Sequence, residues 1–325
     1  MNITLEKLAK IAGVSLGTAS KAFSESDEIS KETKEKIFAI AKEYNCFDKY
    51  YKAKKARKVV AVICPELKGD YYNSIVSRIE QELNRRNIIM FLAISNFDAK
   101  KEESIIKYLT SSKTVDGVIV ISAKSKIKFD KDLPIVALHT RRTNSEVDCI
   151  NVDFDEAISD GIKHLKNCGH TKIGFISETL TKGKLESFIK CAKKLNVSLR
   201  KEWIVEENER FEKAGKSGVE KLLSLNDRPT AFFCSYDNIA LGAIDTIKKH
   251  GLSVPEDFSI IGFDDIAVAS HVNIGLTTIK INNDAICDLA VDLIVKKIKS
   301  KFYALHQQIT MRAELVIRNS VKKIN

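Results

Sequence analysis

Apolar residues return at helical spacing in three short bursts at the start of the chain. Leu5, Leu8, Ala9 and Ala12 share one face of a first helix that Thr4 can cap, and Gly13-Val14 stops it with a turn. Ser15 opens a second helix with Ala19, Ala22 and Phe23 on one side. Ser30 opens a third, with Ile37, Ile40, Ala41 and Tyr44 turned inward. Residues 45–58 break the period. They hold Lys49, Lys52, Lys54, Lys55, Arg57 and Lys58 with no acid after Asp48, the composition of a linker. From Val59 the texture changes to short apolar runs at 59–64, 88–94, 115–121, 135–138, 172–176, 230–234 and 258–263. Amphipathic stretches lie between them, at 72–87, 100–112, 155–168, 184–195 and 238–250. Strands and helices in alternation mean a parallel sheet covered on both faces, and this many strands suffice for two sheets. The pattern therefore predicts an all-α head over 1–45, a basic hinge over 46–58 and an α/β body over 59–325.

Composition sharpens the picture. A chain of 325 residues, 44% hydrophobic and 30% charged, is long and apolar enough for more than one packed domain. The formal net charge is +10, and it is unevenly spread. Residues 1–58 carry 13 Lys+Arg against 8 Asp+Glu, and the other 267 carry 40 against 35, so each part is net +5. A polyanionic partner for the short basic part follows. The seven cysteines stand singly with no CxxC or Cys/His cluster, which reads as free thiols in a reducing compartment and no metal site. The start lacks a basic region followed by an apolar stretch, and the longest apolar runs are too short to span a bilayer. A cytoplasmic protein with no membrane contact and no cofactor is expected. Enzyme motifs are missing: no GxGxxG after the first strand, no phosphate-binding loop, no H-E-x-x-H, no G-x-S-x-G.

The segment from Thr4 to Phe23 has the parts of a helix-turn-helix. Ala9 is small where two helices cross, Gly13 sits in the turn, and Leu5, Leu8, Val14, Ala19 and Ala22 anchor the pair. Ser15, Leu16, Gly17, Thr18, Ser20 and Lys21 then face outward at the start of the second helix, where base edges in the major groove are read. Periodicity alone leaves a plain three-helix bundle with a solvated surface open. The residues also resemble the head of the lactose-repressor family, T-hydrophobic-x-x-hydrophobic-A-x-x-A-G-V-S-x-x-T-[VA]-S-[RK]. The resemblance extends along the chain: Ile29 to Ile37, Val115 to Val120, Ile150 to Asp153, His164 to Ile176, Val254 to Asp265 and Leu276 to Ile279 are all similar to family motifs. It implies a head, a hinge and a periplasmic-binding-protein-like body of two Rossmann-like subdomains. It also implies a dimeric repressor of carbohydrate-utilisation genes, bound to a palindromic duplex DNA operator and controlled by a sugar-like small molecule. Thr4 joins the outward residues of the second helix among the DNA contacts so implied.

Two departures from the family qualify this. Its hinge reads [YF]-x-P-N-x-x-A-R-x-L, with the leucine wedged into the minor groove. Here Tyr44 to Ala53 lacks the proline, asparagine, arginine and leucine, and Ala53 stands at the wedge position. Lys52 and Lys54 beside it can gather phosphates, Tyr50 or Tyr51 can wedge instead, or the stretch is a flexible charged tether. In the effector cleft, Asp264 matches the family's acceptor of sugar hydroxyls. Lys184, however, replaces a bidentate arginine, Tyr236 replaces a frequent asparagine, and Tyr71-Tyr72 forms an aromatic wall. Asp237 reads as a helix cap rather than a ligand and His164 as packing, while His139 at a strand end stays open. The alternative to a sugar-like effector is an unresponsive cleft controlled by a partner protein. A dimer rather than a tetramer is expected, because Val321 to Asn325 offers no leucine heptad helix.

Overall fold

The computed structural model describes residues 3–24, 26, 28–50, 57–125, 127, 133–139, 146–271, 274–300 and 305–324. The head consists of α1 (Leu5–Ala12), α2 (Leu16–Phe23), α3 (Lys31–Glu43) and a short α4 (Phe47–Tyr50). Thr4, Ser15 and Ser30 cap the first three through their side-chain oxygens, and Gly13 ends α1 at φ 70°, a left-handed conformation that favours glycine. Leu8, Ala12, Ala22, Phe23, Ile37 and Ala41 are buried between the helices. The packing runs past the compositional break at residue 45. Cys46 is buried, the Phe47 and Tyr50 rings sit 6.3 and 5.9 Å from Phe23, and the Tyr50 hydroxyl donates to Ile3 O at 2.5 Å. The lysines that make 46–58 look like a linker conceal this small aromatic lock.

The body holds two six-stranded sheets. The first orders its strands β11-β5-β4-β3-β1-β2, built from β1 (Val59–Cys64), β2 (Ile89–Ile94), β3 (Gly117–Ile121), β4 (Ile135–Leu138), β5 (Asp148–Asp153) and β11 (Gln308–Arg312). The second orders them β12-β10-β9-β8-β6-β7, built from β6 (Ile173–Glu178), β7 (Ile204–Glu207), β8 (Ala231–Cys234), β9 (Ser259–Asp264), β10 (Thr277–Lys280) and β12 (Glu314–Val316). Every pairing is parallel except β10 with β12. The first sheet is covered by α5 (Asp70–Arg85), α6 (Ala99–Ser112) and α12 (Asn283–Lys299). The second is covered by α7 (Phe154–Asn167), α8 (Lys182–Lys194), α9 (Glu212–Leu223) and α10 (Asp237–Lys249), with α11 (Ala267–His271) after β9. The chain crosses between subdomains three times: from β5 into α7, from β10 into α12, and from β11 to β12 through Ala313.

Burial on both faces explains why most strands are continuous apolar runs. Phe175, Phe188, Phe232, Phe233, Phe263 and Trp203 are fully buried, each contributing about 1.5–3 kcal/mol by leaving water. The helices α9 and α10 cross at Gly215 and Gly242, where an added Cβ would lie 2.0 Å from Ile239 O and 2.1 Å from Glu212 O. All seven cysteines are free, and all but Cys168 are buried. Among the described residues, no helix is long and apolar enough to cross a membrane, and no cluster of His, Cys, Asp or Glu has metal-binding geometry.

Candidate functional site

On the head, α2 presents Ser15, Leu16, Gly17, Ser20 and Lys21 to solvent, with Thr18 half-buried. Leu16 is 49% exposed, a large apolar side chain half open to solvent. The hydroxyls have structural work already. Ser15 Oγ accepts from Thr18 N at 3.0 Å and shares a hydrogen bond with Thr18 Oγ1 at 2.8 Å, and Thr4 Oγ1 accepts from Lys7 N at 3.3 Å. Gly17 is not required by the backbone, since an added Cβ would meet only Ser15 Oγ at 3.7 Å. Lys21 is held by Glu28 and must exchange that ion pair for any DNA contact. Lys52, Ala53, Lys54 and Tyr51 lie outside the described residues. Tyr50 is committed to the head's interior and is not free to wedge between bases.

In the body, the carboxyl ends of both sheets face one cleft, the place where open α/β sheets bind ligands. Several residues there have left-handed backbones that non-glycine residues rarely adopt: Phe97 (φ 59°), Ser122 (φ 52°) and His139 (φ 51°) from the first subdomain, Phe211 (φ 55°) and Asp264 (φ 110°) from the second. Strain concentrated at one location of this kind marks functional sites. The cleft contains a cavity of about 480 Å³, lined by Tyr71, Tyr72, Phe97, Lys124 and His139 on one side and by Phe154, residues 179–184 and Tyr236 on the other. Tyr72 donates to Ser122 Oγ at 3.3 Å, and the Tyr71 hydroxyl lies 3.4 Å from His139 Nδ1. Burial raises the pKa of both phenols and of Tyr236, so all three stay neutral.

Lys184 and Asp264 meet at the floor. Lys184 Nζ donates to Asp264 Oδ1 at 3.1 Å and to Ser235 O at 2.9 Å, and it lies 3.6 Å from the Phe263 ring centre and 4.5 Å from that of Tyr236. Burial pushes the Asp264 carboxyl up to about 7 against the pull of Lys184, and it lowers Lys184. Asp264 lines a narrow recess beside the main cavity rather than the cavity itself, and one of its oxygens is occupied by Lys184. Asp237 is the first residue of α10, which Tyr236 precedes as N-cap, and it is neither a cap for that helix nor a cleft ligand. Its buried carboxylate accepts from Thr278 Oγ1 at 2.5 Å and from Ile266 N at 2.9 Å, so it ties β10 to the loop after β9. His164 sits on α7 with Nε2 buried, in keeping with a packing role. His139 likewise has a buried Nε2 with no hydrogen-bond partner, but it lies at the cavity wall, and burial lowers its pKa to about 4.

One group escapes a reading of the sequence. Arg210 bridges the cleft: Nη1 donates to Glu66 Oε2 at 2.5 Å on the first subdomain, and Nε donates to Glu178 Oε1 at 3.0 Å on the second. Its guanidinium lies 5.6 Å from the Phe97 ring and 4.4 Å from that of Phe211. Glu66 and Arg210 are 144 residues apart and sit in no recognisable motif, so only the fold brings them together.

Comparison with known proteins gives concordant matches. The family described as bacterial regulatory proteins, lacI family, matches residues 4–46, and a periplasmic binding protein-like domain matches residues 162–321. The HTH-type transcriptional repressor PurR of Mannheimia succiniciproducens is 33% identical over 99% of both chains. The solved lac repressor dimer bound to operator and the anti-inducer ONPF superposes with a TM-score of 0.75 at 21% identity, covering 99% of this chain and 100% of that one. A LacI family transcriptional regulator from Enterococcus faecium with bound ribose superposes at 0.70 with 20% identity, over 82% of this chain and 100% of the other.

Proposed function

The chain belongs to the lacI family of bacterial regulatory proteins, and on that premise we propose how this transcriptional repressor works. It is a regulator and not an enzyme, as its relatives are. In our reading α2 enters the major groove, with Leu16, Gly17 and Lys21 choosing the sequence and Thr4, Ser15, Thr18 and Ser20 seating the helix on the backbone. Residues 46–58 join head to body, Lys52 and Lys54 adding phosphate attraction around Ala53. Two copies pair through their bodies, so two heads meet a palindromic operator. The exposed Ile89 and Phe91 on the open edge of β2 supply apolar surface for such pairing. A small polar effector binds between the subdomains, against Tyr72, Lys184 and Tyr236 with Asp264 behind them. Sugar-responsive genes are the expected targets, in line with the ribose held by the Enterococcus faecium relative.

The observation that carries this reading is the cleft itself. It is lined from both subdomains, crossed by Arg210, and built on strained backbone. Closing on a ligand changes the angle between subdomains, and that angle sets the spacing of two heads in a pair. The test is operator affinity of the Tyr72→Ala and Tyr236→Ala proteins with and without effector. Both should bind operator like the natural protein yet lose the effector's shift. A normal response in both variants refutes the cleft. Full repression control with no small molecule bound would assign control to a partner protein.

A further inference from the structure

The cavity wall narrows the chemistry of the effector. We propose that the effector carries a compact oxyanion, a phosphate ester or a carboxylate on a sugar-sized body, received by the start of α8 together with Lys182, Lys184 and Lys124. The proposal rests on the cleft being the effector site.

Among the described residues, three lysines line the cavity and no aspartate or glutamate does. Asp264, the acid beside Lys184, faces the neighbouring recess and is bonded to that lysine, so its power to accept sugar hydroxyl protons is already half spent. The hydroxyls of this wall can donate or accept, so among the described residues its fixed charges are all cationic.

The lysines also stand where local energetics disfavour them. Lys182 and Lys184 are the first and third residues of α8, at the positive end of the helix, and its first turn has neither an acid nor a side-chain cap. By contrast α5, α6, α7, α9, α10 and α12 each place an acid in the first turn. Cations at a helix start raise a positive potential that an anion relieves. A departure from local preference at a cavity wall is a signature of function. The rings of Tyr72, Phe97, Phe154 and Tyr236 provide flat apolar surface for the carbon skeleton.

The test is thermal unfolding of the full-length protein with matched probes: ribose against ribose 5-phosphate, glucose against glucose 6-phosphate, glucose against gluconate, and inorganic phosphate alone. At least one charged probe should raise the midpoint in proportion to dose while its neutral counterpart does not. A response to gluconate identifies a carboxylate and a response to the esters a phosphate. Lys182 is exposed and replaceable without loss of fold, so Lys182→Gln should weaken the charged probe about tenfold and Lys182→Glu should abolish its effect. Lys249→Gln, on a distant helix, should change nothing. Neutral sugars that bind as tightly as their phosphorylated forms would overturn the proposal and leave the effector cleft standing. Equal stabilisation by inorganic phosphate in the natural and Lys182→Glu proteins would also overturn it, as a general salt effect. No response to any probe would count against both the oxyanion and the cleft.

Discussion

Leu16 opens α2 half-exposed, on the face that the proposed reading sets against DNA. Against a thymine methyl it makes apolar contact, so Leu16→Ala should cost about 1–3 kcal/mol on the preferred operator. The loss on random DNA should be much smaller, as fluorescence anisotropy with both duplexes will show. Equal losses would mean that Leu16 reads no base. Asp264 yields a second prediction. Its folded pKa is raised to about 7 by burial, above the ordinary carboxylate value, so the folded state holds that proton more tightly than the unfolded chain. Its charged form therefore costs stability above about pH 7, and the cost disappears as the pH falls towards 4. The melting temperature of the natural protein relative to Asp264→Asn should rise over that interval. A difference that stays flat from pH 8 to 5 would mean that burial does not govern this carboxyl. The sequence singles out both residues as candidates, Leu16 from helix spacing and Asp264 from a motif. It does not show the ion pair of Asp264 with Lys184, because the two are 80 residues apart.

At the scale of elements, legibility followed unbroken apolar runs: the half-exposed β2 forms one, whereas β5 and β10 are interrupted by Asp148, Asn151, Thr277 and Thr278 and form none. The strands β1, β3, β6, β8 and β9 are covered on both faces, and each appears in the sequence as an apolar run. The short β7 and the edge strands β11 and β12 are partly exposed and carry Glu206, Gln308, Arg312 and Glu314, so no run betrays them. The long α12 escaped for a different reason. It packs on α5 and the first sheet, and much of it is buried, so its apolar residues show no clean stripe. In the hinge, composition suggested a linker from residue 46, yet Cys46, Phe47 and Tyr50 belong to the head's packing. Fixing Tyr50 there removes one of two aromatic wedges and leaves Ala53 at the position where the family has leucine. The natural protein should therefore bend its operator less than an Ala53→Leu variant in a circular-permutation assay. Sharp bending by the natural protein, with no gain from leucine, would make Tyr51 the wedge.

For the whole molecule, the proposed coupling of cleft to head needs the subdomains to move as units, and Arg210 ties them across the opening. Replacing it leaves Glu66 and Glu178 buried without their cation. Arg210→Met should lower unfolding stability by about 2 kcal/mol, less than a fully buried pair because the guanidinium is a quarter exposed. Hydrogen exchange at the start of α5 should quicken in step. Unchanged exchange would mean that the cleft is held shut by other contacts. In the proposed repressor, two heads on a paired body read a symmetric sequence. Selection of duplexes from a random pool by the full-length protein, followed by affinity measurement at fixed, near-physiological salt, tests this. A palindrome should be enriched and bound at least about a thousandfold more tightly than a scrambled duplex. Enrichment of no common sequence, or equal affinity for the scrambled duplex, would contradict it.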